Sequence, residues 1–500
     1  MVIMTFTPIN KKKRVIKNTL FYIGMPFLRN LLAFITLPIM TRFLSPADYG
    51  IVSLIIMISS FSGIFFMGII NSSYRYYYEY KEDIQKLRAM FSTYFFFIAI
   101  VSLAYGTILY FVFPTLNHLL FKNRLDFVWV LLAVIQFTLA YVNGMNQYLF
   151  QNQHQGGKWL FNEAVSTAIL VPLSIILVLT RRFTFEAIIL AGISAEIVKF
   201  ILIFLQLRKY YGITFSSSLL KEAFVYSWPQ IPTSLISFGY SYIDKVLLNK
   251  FQGLNQVGLL AMGNRISSVL KTSMDGVTGV LSPLTLELIK ENRKDSFKKL
   301  ADLNLKISFI LLCLAFSIIL FTKEMVYLLM TKEYHFVIYV VPIYIYYHIF
   351  GILGMIAYWM IYYHPSKTFW AIPLNLIFLV SSTVASILLI PKLGVMGAAF
   401  AAFIASAIAQ SIQFIVGLRI TPVPMDKGKL AIMFGTLFAG TAFLYFLYYI
   451  NLNMVIEISI KLFMLFMFIM IAVRARIINI SEIKELAAML TSKIQNRFAG

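Results

Sequence analysis

Of the ionisable residues inside the long apolar stretches of this chain, six fall on the first, seventh and eighth: Arg29, Asp244, Lys245, Arg265, Lys271 and Asp275. A charge at the centre of a bilayer costs roughly 2.5–3.5 kcal/mol on insertion scales, so such residues face a paired or watery interior. Four of the six are cationic and two anionic. A cavity that receives an anion resolves that surplus, and the planar fork of arginine matches phosphate oxygens bidentately. Arg29, Lys245, Arg265 and Lys271 are therefore the candidate substrate-binding residues. Asp244 and Asp275 are the candidates for charge pairing or ion coupling. By residue count, Asp244 and Arg265 lie at similar depths and are expected to pair across neighbouring helices. Glu196 and Lys199, three residues apart, are expected to pair within one helix.

Catalytic chemistry finds no support. There is no P-loop, no HExxH pair and no nucleophile elbow, and the remaining carboxylates, such as Glu82 and Asp83, lie mostly in loops. The five histidines (His118, His154, His335, His348, His364) lack ligand spacing, and the single cysteine, Cys313, rules out an intrachain disulfide. The chain is read as not an enzyme, with no catalytic residue, no metal site and no cofactor; a sodium ion or a proton is the coupling ion if transport is coupled.

The elements that hold these charges are membrane spans. Of 500 residues, 60% are hydrophobic and 13% charged, against roughly 45–50% and 25% in soluble domains. Apolar blocks predict about fourteen spans, near 16–40, 50–70, 89–113, 127–149, 160–180, 186–206, 228–249, 257–282, 303–322, 337–361, 369–390, 395–417, 430–450 and 455–473. The net charge of +22 is spread over short loops, which argues against a nucleic-acid partner. With the N-terminus inside, 27 of the 43 Lys and Arg residues fall in inner segments, nine in outer loops and seven within spans. That bias predicts cytoplasmic N- and C-termini. The basic run Lys11–Arg14 precedes an apolar segment too long for a signal peptide, so it is read as an uncleaved first span.

A repeat divides the chain. Arg42–Gly50 aligns without gaps on Lys250–Gly258, matching a basic residue, Phe and Gly at an offset of 208 positions. Six spans separate the copies, which predicts a parallel repeat about an axis along the membrane normal. The expected organisation is a six-helix lobe over 1–210, a second over 221–418, an additional helix pair over 429–475 and a cytoplasmic amphipathic tail over 476–500. Pro26 and Pro38 on the first span and Pro229 and Pro232 on the seventh punctuate equivalent helices and are candidate hinges. Tyr74, Tyr76, Tyr77, Tyr78 and Tyr80 follow Asn71 near the inner face. They fit an interfacial aromatic belt first, and sugar stacking second.

Several stretches together resemble the polysaccharide transporter branch (Wzx-type flippases) of the multidrug/oligosaccharidyl-lipid/polysaccharide exporter superfamily. They are Lys17-Asn18-Thr19, the turn Thr41–Gly50, the segment Tyr226-Ser227-Trp228-Pro229-Gln230-Ile231-Pro232, Ile243-Asp244-Lys245, and Pro391–Ala399. The likeness covers nearly the whole chain. It implies an all-α polytopic protein with two pseudo-symmetric six-helix lobes that alternate access around a central cavity. The implied substrate is undecaprenyl-pyrophosphate-linked oligosaccharide, moved from the inner to the outer leaflet of the bacterial plasma membrane for cell-surface polysaccharide. Implied partners are the lipid bilayer, a polysaccharide polymerase and a chain-length regulator. Lys245 keeps the charge of the arginine often found after the aspartate in that family. The glycan stays open among capsule, lipopolysaccharide O-antigen, exopolysaccharide and peptidoglycan precursor. Two alternatives remain: a cation-coupled multidrug exporter of the same superfamily, and a non-transporting membrane scaffold for glycan assembly.

Overall fold

The computed structural model describes residue 32 and residues 34–153, 155–450 and 453–478. Pro26, Arg29 and residues 479–500 of the expected tail lie outside the described residues. The described chain is helical throughout: α1 (Phe34–Phe43), α2 (Pro46–Ser60), α3 (Gly63–Tyr80), α4 (Ile84–Leu116), α5 (Phe127–Asn152), α6 (Gly156–Leu179), α7 (Phe185–Leu207), α8 (Ser217–Ser227), α9 (Gln230–Gln252), α10 (Leu254–Glu291), α11 (Lys294–Leu329), α12 (Val337–Tyr362), α13 (Ala371–Leu393), α14 (Val395–Ile420), α15 (Lys427–Ile450) and α16 (Met454–Arg474).

Ten of these helices are long and apolar enough to cross a membrane, or eleven if the bent pair α1–α2 counts as one span. The expected fourteen therefore stands at ten or eleven by length and apolarity. Helices do occupy every expected interval from the second to the fourteenth. Those outside the ten are α2, α3, α9 and α10. The last two are too polar: α9 carries Thr233, Ser234, Ser237, Ser241, Asp244 and Lys245, and α10 carries Asn264, Arg265, Ser267, Ser268 and Lys271. The residues of greatest chemical interest are thus what lowers the hydropathy of their own helices.

The turn between α1 and α2 bends the chain by 117°. Ser45 caps α2 in a capping box: its hydroxyl accepts from the Asp48 amide at 3.3 Å, while the Asp48 carboxylate accepts from the Ser45 amide at 2.8 Å. Pro46 takes the first helical position, where its missing N–H costs nothing. The turn is held from outside as well. Tyr334 Oη donates to the Leu44 carbonyl at 2.6 Å, and Thr331 Oγ1 donates to that of Thr41 at 2.9 Å.

Equivalent positions of the repeat meet in three dimensions. A Cβ on Gly50 would lie 2.2 Å from the Leu254 carbonyl oxygen, and one on Gly258 would lie 1.7 Å from that of Pro46. Leu254 follows Pro46, and Gly258 follows Gly50, by the same 208 positions. The first turns of α2 and α10 therefore cross backbone to backbone in a reciprocal contact that only glycine admits.

The chain forms two compact units. One comprises residues 1–272, 325–344 and 369–409; the other comprises 273–324, 345–368 and 410–500. In the first, α3, α4, α5, α7 and α8 pack around Phe66, Met90, Phe91, Leu149 and Phe150, all essentially inaccessible. In the second, Phe316 of α11 packs on Phe468 of α16 at 5.2 Å between centroids, and Tyr346 of α12 stacks on Phe438 of α15 at 4.5 Å. Gly440 leaves room for Phe316.

Candidate functional site

α9 and α10 position the charges. On α9, Asp244 is buried, and its Oδ2 accepts from Tyr344 Oη of α12 at 3.3 Å. The neighbouring Lys245 ammonium lies 4.4 Å from the centre of the Tyr242 ring, a cation–π contact. Tyr242 Oη lies 3.1 Å from Ser60 Oγ on α2. α9 is seated by apolar and small-residue packing on α13, where Tyr240 meets Phe378 at 4.6 Å and Gly239 admits Leu379. Its far end is tied down by Asn249 Nδ2, which donates to the Leu120 carbonyl at 2.8 Å.

On α10, Arg265 is half-buried and lies within electrostatic reach of Tyr49. Among the described residues it makes no ion pair. The expected Asp244–Arg265 pair is therefore not formed: residue count along two helices does not reveal the direction in which each helix face turns. Asp244 takes a tyrosine donor instead. Lys271 and Asp275 are both exposed on α10.

Glu196 and Lys199 also part company. Lys199, on α7, forms its salt bridge with Glu163 of α6, and Glu196 accepts from Asn143 Nδ2 of α5 at 2.7 Å. Both charges serve helix packing, as expected, but through partners on other helices. Glu163 lies 36 positions from Lys199, a separation that carries no periodic signal.

The two prolines of the seventh expected span sit at a joint. Pro229 is the N-cap of α9 and Pro232 lies in its first turn, where no intrahelical donor is lost. Trp228 and Pro229 separate α8 from α9. Pro38 lies in α1.

The C-terminal helices carry a second charged cluster. Lys461 of α16 is fully buried and contacts Glu324 of α11 at 2.6 Å and Glu457 at 2.7 Å; Lys323 reaches Glu457 at 2.7 Å. Both lysines lie 5.1 Å from the Tyr448 ring. Two cations and two anions make this cluster neutral, so it stitches α11 to α16 and offers no net charge to a ligand.

At the end of α3, Tyr80 Oη donates to Glu222 Oε2 at 2.5 Å. Partial burial, and then the Glu222 carboxylate, hold this phenol above its ordinary pKa. No group of three or more His, Cys, Asp or Glu side chains among the described residues could hold a metal ion.

Comparison with known proteins places this geometry. The chain resembles the solved structure of the lipid II flippase MurJ in an inward closed conformation, at 15% identity and a TM-score of 0.69, over 92% of this chain and 100% of that one. It also resembles an inward-facing multidrug resistance MATE family transporter of the MOP superfamily, at 15% identity and a TM-score of 0.62, over 79% of this chain and 95% of that one. An outward-facing MATE structure matches at 16% identity and 0.56, over 82% and 96%. No curated protein matches the chain. The family model described as "Polysaccharide biosynthesis protein" matches residues 39–340. The chain thus belongs to the polysaccharide biosynthesis protein family, as a multi-pass membrane protein on the fold of the MOP-superfamily transporters.

Proposed function

We propose that this protein is a flippase that moves undecaprenyl-pyrophosphate-linked oligosaccharide from the inner to the outer leaflet of a bacterial plasma membrane. The observation that carries the reading is the placement of cations on the polar helices of a polysaccharide-biosynthesis chain. Lys245, Arg265 and Lys271 all lie on α9 and α10, and Arg265 has no acidic partner among the described residues. Half-buried cationic groups such as Lys245 and Arg265 suit a pyrophosphate. The likeness in fold to a lipid II flippase supports the same direction.

In this reading fourteen helices cross the membrane, with both termini cytoplasmic. α9 and α10 cross despite their polarity because they line an aqueous path. The two six-helix lobes rock about joints such as Trp228–Pro232, while the prenyl tail stays in lipid. Arg29, Lys245, Arg265 and Lys271 hold the pyrophosphate, and Asp244 or Asp275 carries a sodium ion or proton on the return step. The membrane potential favours outward movement of an anion by ~2.3 kcal/mol per charge per 100 mV. A polymerase and a chain-length regulator act on the delivered product.

The test is headgroup flipping in proteoliposomes. Arg29→Gln and Arg265→Gln are expected to lower the rate by tenfold or more while leaving thermal stability within a few degrees of wild type. Wild-type flipping in both variants would overturn the assignment of these arginines. Failure of the wild-type protein to flip any prenyl-pyrophosphate glycan would overturn the function itself.

A further inference from the structure

We infer that the tyrosines at the end of α3 form a glycan-stacking platform at the cytoplasmic end of the helices, which receives the sugar portion of the substrate. The inference rests on the flippase reading above and adds where the carbohydrate binds. The sequence placed Tyr74, Tyr76, Tyr77, Tyr78 and Tyr80 on a single helix, a pattern that an aromatic belt also produces. Belt residues are set around the circumference of a protein with their rings in lipid headgroups. Here the fold sets Tyr148 of α5 beside Tyr74 and Tyr78 and braces these rings with hydrogen bonds.

Tyr74 packs edge-on against Tyr78 and against Tyr148 of α5, at 5.9 and 5.6 Å between centroids. Tyr148 Oη donates to Asn71 Oδ1 at 3.3 Å, and Asn71 Nδ2 donates to Gln230 Oε1 of α9 at 3.0 Å. On the opposite face of α3 a separate cluster forms: Tyr76 and Tyr226 of α8 lie 6.2 Å apart, and the Arg75 guanidinium sits 5.4 and 5.0 Å from their two rings. Glu79 fixes that guanidinium from a third side at 3.3 Å. Tyr74 and Tyr78 nevertheless stay 45% and 51% exposed, so rings held in place by their neighbours still present area to a ligand.

Rigid, half-exposed tyrosines give large contact area at low entropic cost. Their faces suit the C–H face of a pyranose, and their hydroxyls suit its oxygens. Such a platform tolerates many sugars, because every pyranose offers an apolar face. It differs from the α9–α10 cations, which recognise phosphate whatever the glycan.

The experiment compares two probes on the full-length protein in nanodiscs: undecaprenyl pyrophosphate, and the same lipid bearing one N-acetylhexosamine. Wild type is expected to bind the glycosylated lipid more tightly. Tyr74→Ala/Tyr78→Ala should remove most of that gain, about tenfold, while leaving affinity for the bare lipid unchanged. Tyr74→Phe/Tyr78→Phe keeps the rings and should retain the gain, which also guards against misfolding of the alanine variant. Tyr110→Ala, on the exposed face of α4, should alter neither. A sugar-dependent gain that survives the alanine double variant, or an equal loss for both lipids, overturns the platform and leaves the flippase reading standing. Wild-type binding of bare lipid with no sugar-dependent gain overturns it in the same way. Wild-type binding of neither lipid overturns the flippase reading and the platform with it.

Discussion

Single residues separate two kinds of charge on these helices. Lys461 is wholly buried and bridges Glu324 and Glu457, with Lys323 completing the set. Removing one member strands a carboxylate, which in buried pairs costs roughly 3–5 kcal/mol. Lys461→Met is therefore expected to lower the unfolding midpoint in detergent by several degrees more than Arg265→Gln does, because Arg265 has no acid to strand. Equal losses would show that the two charges occupy equivalent settings. Asp244 belongs between these cases, since its neighbour is the Tyr344 hydroxyl. Tyr344→Phe removes that donor and should cost about 1 kcal/mol in denaturant unfolding. No measurable loss would mean that the bond contributes nothing.

At the scale of elements, the crossing of α2 and α10 brings equivalent turns of the repeat into contact. A methyl group on Gly50 or Gly258 meets a backbone carbonyl rather than a flexible side chain, so relief requires the helices to separate. Gly258→Ala and Gly50→Ala should each destabilise by about 1–3 kcal/mol, as overpacking does. Gly279→Ala, on the same α10 but with nothing within 4 Å of its would-be Cβ, should be neutral or stabilise by up to about 1 kcal/mol. Thermal unfolding of the three variants checks the contrast; similar behaviour at all three positions would remove the close crossing. The repeat was legible before the structure because the basic residue, Phe and Gly recur in register around a turn. The contact between its copies was not, since nothing in a one-dimensional match says that equivalent turns meet.

For the whole molecule, the expected motor is the membrane potential acting on an anionic headgroup. Collapsing an inside-negative potential across wild-type proteoliposomes should slow outward flipping, and reversing its sign should slow it further. A rate indifferent to potential would indicate that no net charge crosses in the limiting step. The helix pair α15–α16 belongs to this scale too. Read as an addition to two lobes, it packs into the same compact unit as α11, through Phe316–Phe468 and the Lys461 cluster.

The sequence by itself determined the class of molecule. Apolar blocks, loop charge and the Arg42–Gly50 turn are local features set by solvent, and each states its meaning without a partner. It also marked which helices carry unusual charge, because charge in an apolar stretch is visible in one dimension. Only the tertiary structure decided who faces whom: Lys199 with Glu163 rather than Glu196, Asp244 with Tyr344 rather than Arg265, and Tyr74 with Tyr148. Those choices depend on the rotation of each helix about its axis and on neighbours 36, 100 and 74 positions away. Such pairings are fixed by packing of whole faces, a property that no short stretch of sequence contains.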